Sequence, residues 1–118
     1  MTETEAIELS RAYVALSNTH RVELILPMFS ARAVYTSSAL GEFVGPGAIG
    51  EMMQGFFSDY PNAFWLAENF RFDSNRVTFD FSLQASAAIS GEHLQRQGVE
   101  RIEFDDKGLI KKLEVKAT

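Results

Sequence analysis

Hydrophobic positions recur along the chain at two different periods, and the change between them divides the sequence into a helical and an extended part. Between Thr4 and Asn18, residues Ala6, Leu9, Tyr13 and Leu16 fall at helical spacing, with Glu3, Glu5 and Glu8 near the positive end of the helix dipole; this predicts an amphipathic first helix. Thr19 can cap a second, short helix carrying Val22, Leu24, Ile25 and Leu26, and Pro27 lacks the donor that would continue it, so it is expected to end near Phe29. Ala33 to Ser37 holds a β-branched and aromatic patch, Val34-Tyr35-Thr36, that predicts one short strand. A third helix is expected to open at Gly45-Pro46 and to turn Ile49, Met52, Met53, Phe56, Phe57 and Tyr60 toward the core, with Pro61 closing it.

From Asn62 onward the period becomes 2. Phe64, Leu66, Phe70 and Phe72 are predicted to share one face of a strand; Val77, Phe79, Phe81, Leu83 and Ala85 share a face of the next, opposite Thr78, Asp80, Ser82 and Gln84. Asp73-Ser74-Asn75 is the turn between them, and Ser90-Gly91 turns the chain again. A long strand from Glu92 to Phe104, the loop Asp105-Asp106-Lys107-Gly108 and a last strand from Leu109 to Val115 complete the pattern. Helices followed by antiparallel strands, each needing one face covered, give an α+β fold with three N-terminal helical segments packed on one side of a curved, mostly antiparallel sheet. At 118 residues the chain is expected to be a single domain, 1-118.

Charge narrows the possible partners. Sixteen acidic against eleven basic residues give a net charge of −5, which provides no basic footprint for nucleic acid and is repelled by an anionic membrane surface. The longest apolar run, Leu24 to Phe29, is interrupted by Pro27 and far short of the roughly 20 residues that span a bilayer. There is no Cys for a disulfide or a thiolate metal site, and the first residues are acidic where a signal peptide would be basic and then apolar. A soluble, cytoplasmic protein with no metal and no cofactor is expected.

Four local phrases in order carry a family resemblance: Tyr13-Val14-Ala15-Leu16 with Asn18, Leu26-Pro27-Met28-Phe29, Gly45 with Ile49, and Phe104-Asp105-Asp106-Lys107-Gly108-Leu109-Ile110. Together they resemble the nuclear transport factor 2-like superfamily, and within it the SnoaL-like and ketosteroid isomerase-like proteins. The resemblance implies a cone-shaped half-barrel with a pocket between helices and concave sheet, usually in a homodimer formed through the sheet. It implies no single activity, because the superfamily holds isomerases, cyclases, hydrolases and binding modules.

Residue by residue, the resemblance aligns Tyr13 with the oxyanion-hole Tyr of the ketosteroid isomerases and Glu100 with their late-strand protonated acid, one methylene longer. The position of their general base holds Ser37 or Thr36, and neither hydroxyl abstracts a carbon-bound proton unaided. Isomerisation by that mechanism is therefore not expected. By strand parity Glu100 joins Ile102 and Phe104 on an apolar face, where desolvation favours its neutral form as an acid catalyst requires. The competing role for Glu100 is structural, accepting hydrogen bonds from Tyr13 or from Arg96 four residues away on the same face.

Other motifs reduce to ordinary structure. His93 and Glu100 lie seven apart on one strand, roughly 23 Å, so they form no dyad, and His20 reads as a solvated turn residue. Gly45-Pro46-Gly47-Ala48-Ile49-Gly50 matches G-x-G-x-x-G, yet no buried strand runs into it and no βα crossover follows Tyr60, so it reads as a helix start without a nucleotide. Phe56, Phe57, Trp65, Phe70, Phe79 and Phe81 are core candidates, of which Phe56 and Trp65, with Thr36 and Ser37, are the expected ligand contacts. The expected function is binding of a small, largely apolar molecule in the interior pocket. The alternatives are an isomerase, cyclase or hydrolase using Glu100 as acid or base, and a dimeric scaffold with a filled core. A cavity of about 300 Å³ or more speaks for binding, and a packed interior for the scaffold.

Overall fold

The computed structural model describes residues 1–118. Helix α1 spans Glu3–Thr19, α2 is the single turn Val22–Ile25, continued as a 3-10 turn over Leu26–Met28, and α3 spans Gly45–Asp59. The strands are β1 Phe29–Ser37, β2 Gly41–Val44, β3 Phe64–Asp73, β4 Arg76–Ser86, β5 His93–Phe104 and β6 Ile110–Ala117. Thr2 caps α1 reciprocally with Glu5: the Thr2 hydroxyl accepts from the Glu5 amide at 3.1 Å, and the Glu5 carboxylate accepts from the Thr2 amide at 3.2 Å. Pro27 sits at the start of the 3-10 turn, the position where its missing donor is harmless, and the chain is extended from Phe29. The first strand thus begins four residues before the expected Ala33.

The strands form one open sheet in the order β2-β1-β6-β5-β4-β3. All neighbouring pairs are antiparallel except β1 and β6, which run parallel, so the sheet is mixed. The short strand β2, not expected from its interrupted apolar pattern, is an edge hairpin partner of β1. Helix α1 packs on β3 and α3 on β1, covering one face. Beneath them lie the fully buried Phe79, Phe104, Ile25, Ile49, Ile102, Ile110, Leu113 and Val77. No helix is long and apolar enough to cross a membrane.

One expectation fails for a definite reason. Phe64, Leu66, Phe70 and Phe72 do not share a face, because Glu68 pairs with Asp80 and Arg71 with Thr78, leaving two residues of β3 opposite the single Phe79. This bulge centres on Asn69, whose φ of 58° is left-handed. Asn69 Nδ2 donates to Asp80 Oδ2 at 3.0 Å, and Arg71 both donates to the Asn69 carbonyl at 2.7 Å and pairs with Asp80 at 3.3 Å. These bonds to its ionised form hold the Asp80 carboxyl below its usual pKa. The bulge reverses parity, so Trp65 and Ala67 join Phe70 and Phe72 on the covered face, while Phe64 and Leu66 stay 51% and 62% exposed on the outer one.

Gly98 of β5 stands opposite Ala117 of β6 with no room for a side chain. A Cβ there would overlap the Lys116 carbonyl oxygen and lie 2.8 Å from Ala117 Cα, so no larger residue fits without moving a strand. Gly45 takes a φ of 86° where β2 passes into α3, which accounts for the first glycine of the G-x-G-x-x-G match without a nucleotide.

Candidate functional site

Strand alternation delivers the polar groups to one place. On β1, Ala33, Tyr35 and Ser37 point inward; on β5, Leu94, Arg96 and Glu100 do; on β6, Leu113 and Val115. Register then aligns Glu100 between Phe79 of β4 and Val115 of β6, with Ser37 of β1 beyond Val115. Tyr13 reaches the same region from α1, held edge-on against Phe29 at 5.8 Å between ring centres. Together Tyr13, Tyr35, Ser37 and Glu100 line a cleft whose other walls are largely apolar, among them Met52, Met53, Phe56, Trp65, Phe79 and Phe81.

Glu100 is the chemically distinctive member. Its side chain lies in the core with only 5% of the residue exposed, and Oε2 has no hydrogen-bond partner in the protein. Burial raises its pKa from the ordinary 4.5 to about 8, so at neutral pH it is mainly a neutral acid with a proton to donate. Tyr13 and Tyr35 are also held in their neutral forms: burial pushes both phenols up, and the Glu100 carboxyl opposes a further negative charge beside it. Neutral Glu100 and the neutral Tyr13 and Tyr35 hydroxyls, which are bonded to each other, therefore stand together in an apolar cleft, with one of the two phenol protons taken by that bond. Such a cluster can bind a carbonyl, ether or hydroxyl oxygen and stabilise negative charge developing on it.

The remaining expected contacts divide. Phe56 and Trp65 line the cleft with their rings 5.9 Å apart. Ser37 lines it too, but its Oγ also accepts from the amides of Ala39 and Leu40 at 3.2 and 3.1 Å, which ties the hydroxyl to the β1–β2 turn. Thr36 has the opposite parity on β1 and is not among the lining residues, because its neighbours Tyr35 and Ser37 take the inner positions. Arg96 lines the cleft without bonding to Glu100.

Sequence reasoning missed two contributors. Tyr35 counted only toward β propensity, although alternation with Ala33 and Ser37 puts it beside Tyr13. Asn18 clamps the β3 backbone, donating from Nδ2 to the Trp65 carbonyl at 3.0 Å and accepting from the Trp65 amide at 2.8 Å, and so fixes where the indole stands. His20, expected to be solvated, instead bonds through Nε2 with the Ala63 carbonyl at 2.6 Å and stacks on Phe57 at 4.4 Å. Its role is to seat the end of α1 on the start of β3. The cleft itself encloses about 60 Å³, well below the roughly 300 Å³ that speaks for binding, so its volume alone favours the filled-core scaffold.

Solved structures with this architecture are numerous, and their likeness to the chain is in the fold. AclR from Streptomyces galilaeus, a proposed hydroxylase, superposes with a TM-score of 0.81 at 18% identity over 96% of this chain and 88% of its own. SalBIII, an epoxide hydrolase/cyclase-like enzyme of pyran ring formation in the polyether salinomycin, gives 0.88 at 15% identity over 98% and 92%. A proposed isomerase from Bacillus subtilis gives 0.85 at 18% identity over 100% and 90%. No curated protein matches the sequence. The family model described as the SnoaL-like domain does match it, over residues 10–113, and the chain belongs to that family.

Proposed function

We propose that the protein binds a small, largely apolar molecule bearing one oxygen acceptor, with that oxygen held by the neutral Glu100 and by Tyr13, and with Phe56 and Trp65 against its apolar body. The observation that supports this most is the buried Oε2 of Glu100, which lacks a protein partner. A buried carboxyl left unmatched costs about 1–3 kcal/mol or more, a cost that a purely structural core escapes with Leu or Met at the same position. The partner for Oε2 then comes from what enters the cleft. The volume of about 60 Å³ is too small for a six-membered ring ketone, so binding one requires the walls to move. Met52 and Met53, with flexible side chains, and Leu40, 41% exposed, are the walls able to yield.

Trp65 is the only Trp and lines the cleft, so its fluorescence reports occupancy. Cyclohexanone is expected to quench it at roughly tenfold lower concentration than methylenecyclohexane, which has the same shape without the acceptor, and Glu100→Ala is expected to remove the difference. Equal quenching by the two compounds, or none by either, rejects the proposal and leaves the scaffold reading.

A catalytic version of the same site is favoured by one observation, the Glu100 pKa of about 8, which matches a general acid working near neutral pH. In that version Glu100→Gln abolishes turnover while ligand affinity persists. Assembly is the other part of the proposal: Phe64 and Leu66, exposed on the outer sheet face beside Ser82 and Gln84, support a homodimer formed through the sheet. Light scattering of Leu66→Glu at micromolar concentration tests it, and a mass of 13.2 kDa for the unaltered chain rejects it.

A further inference from the structure

Arg96 is the one cationic side chain among the residues lining the cleft. It lies on the inner face of β5, directly across from Leu83, which in turn pairs with Trp65, and it is half-buried. The four ion pairs of the protein involve Arg21, Arg71, Lys111 and Lys112, and none involves Arg96. No ion pair engages its guanidinium, and the nearest acid along the strand, Glu100, is buried with Oε2 unpartnered. None of its nitrogens is buried without a partner, so the guanidinium reaches solvent and offers five donors in a fixed fork to whatever enters the cleft.

The two ends of the cleft therefore differ in charge. Arg96 and Glu100 are four residues apart on one strand, about 13 Å between Cα atoms, with Phe81, Leu83 and Ala117 among the apolar lining. At one end stand neutral donors, at the other a permanent cation, in a protein whose net charge of −5 gives no general attraction for anions. Resting on the binding function proposed above, we infer that the natural ligand is an anion: a compact apolar body with a carboxylate, or an equally planar oxyanion, that takes the Arg96 fork at one end while its carbonyl or ether oxygen meets Glu100 and Tyr13 at the other. A carboxylate matches the fork in shape, with two parallel N–H···O bonds.

The test compares 4-oxocyclohexanecarboxylate with 4-oxocyclohexanecarboxamide, which keep the ketone and differ in charge, by Trp65 quenching at pH 7 and low salt. The carboxylate is expected to bind at least tenfold tighter, and the preference to shrink as salt is added. Arg96→Gln is expected to reduce the preference to about twofold or less, and Arg96→Lys to retain part of it, which separates loss of charge from loss of fold. Equal affinity for the two probes, or a preference for the carboxamide, overturns the anion inference and leaves the binding function standing. Absence of binding by both overturns the two together.

Discussion

Replacing Glu100 by Gln keeps the shape of the side chain and removes its ionisable group, and the effect on stability is calculable. The folded-state pKa of about 8 lies above the ordinary 4.5, so between these values the folded protein holds a proton that the unfolded chain has released. Stability then falls as pH rises: the contribution of Glu100 is intact below about pH 4.5, is lost progressively, and levels off above about pH 8. For these two values the accumulated loss is about 1 kcal/mol at pH 5, about 3 kcal/mol at pH 7 and about 5 kcal/mol at pH 9. Urea unfolding of both proteins at the three pH values isolates the term, since other titrating groups cancel in the difference. Asp80 and Asp105, whose lowered pKa values give the opposite slope in acid, are among those that cancel. The stability of Glu100→Gln relative to the unaltered protein is expected to rise by about 4 kcal/mol from pH 5 to pH 9. A difference constant within about 0.5 kcal/mol over that range, or one that falls, refutes the placement of Glu100 as a buried, unmatched acid.

Further outcomes follow from single contacts. Gly98→Ala drives a methyl into the Lys116 carbonyl and is expected to cost about 3 kcal/mol or more in urea unfolding, with β5–β6 amides losing hydrogen-exchange protection. Asn69→Ala, which loses both the left-handed preference and the bond to Asp80, is expected to cost about 1–2 kcal/mol, whereas Asn69→Gly recovers part of that. Asn18→Ala frees the Trp65 backbone and is expected to shift Trp emission to the red while costing about 2 kcal/mol. Phe79→Ala, in the centre of the core, is expected to cost about 3–5 kcal/mol by the same unfolding measurement.

The helices, the long strands after Asn62 and the inward parity of Glu100 were legible because each rests on a local period that tertiary packing leaves intact. What escaped was set by single residues acting at a distance. Asn69 reads as a polar interruption, and only its bond to Asp80 on the neighbouring strand turns it into a bulge that exchanges Phe64 and Leu66 for Trp65 and Ala67 on the covered face. The edge strand β2 has too few residues to show a period and exists through pairing with β1. In the site, Tyr13 and Glu100 were found from the family resemblance and strand parity together. Tyr35 shared the parity with Ser37 but lacked any motif, and Thr36 stood in the motif position with the wrong parity. Neither the Asn18 clamp nor the freedom of Arg96 leaves a trace in sequence, since both depend on which strands become neighbours.

If Glu100 meets a ligand oxygen as a neutral donor, the affinity for cyclohexanone, read from Trp65 quenching between pH 6 and pH 10, depends on its protonation. Affinity is expected to be constant up to about pH 7 and to weaken by an amount approaching tenfold per pH unit beyond about pH 8, where Glu100 ionises, with Glu100→Gln showing no such dependence. Affinity that stays flat across the range in the unaltered protein, or strengthens above pH 8, contradicts it.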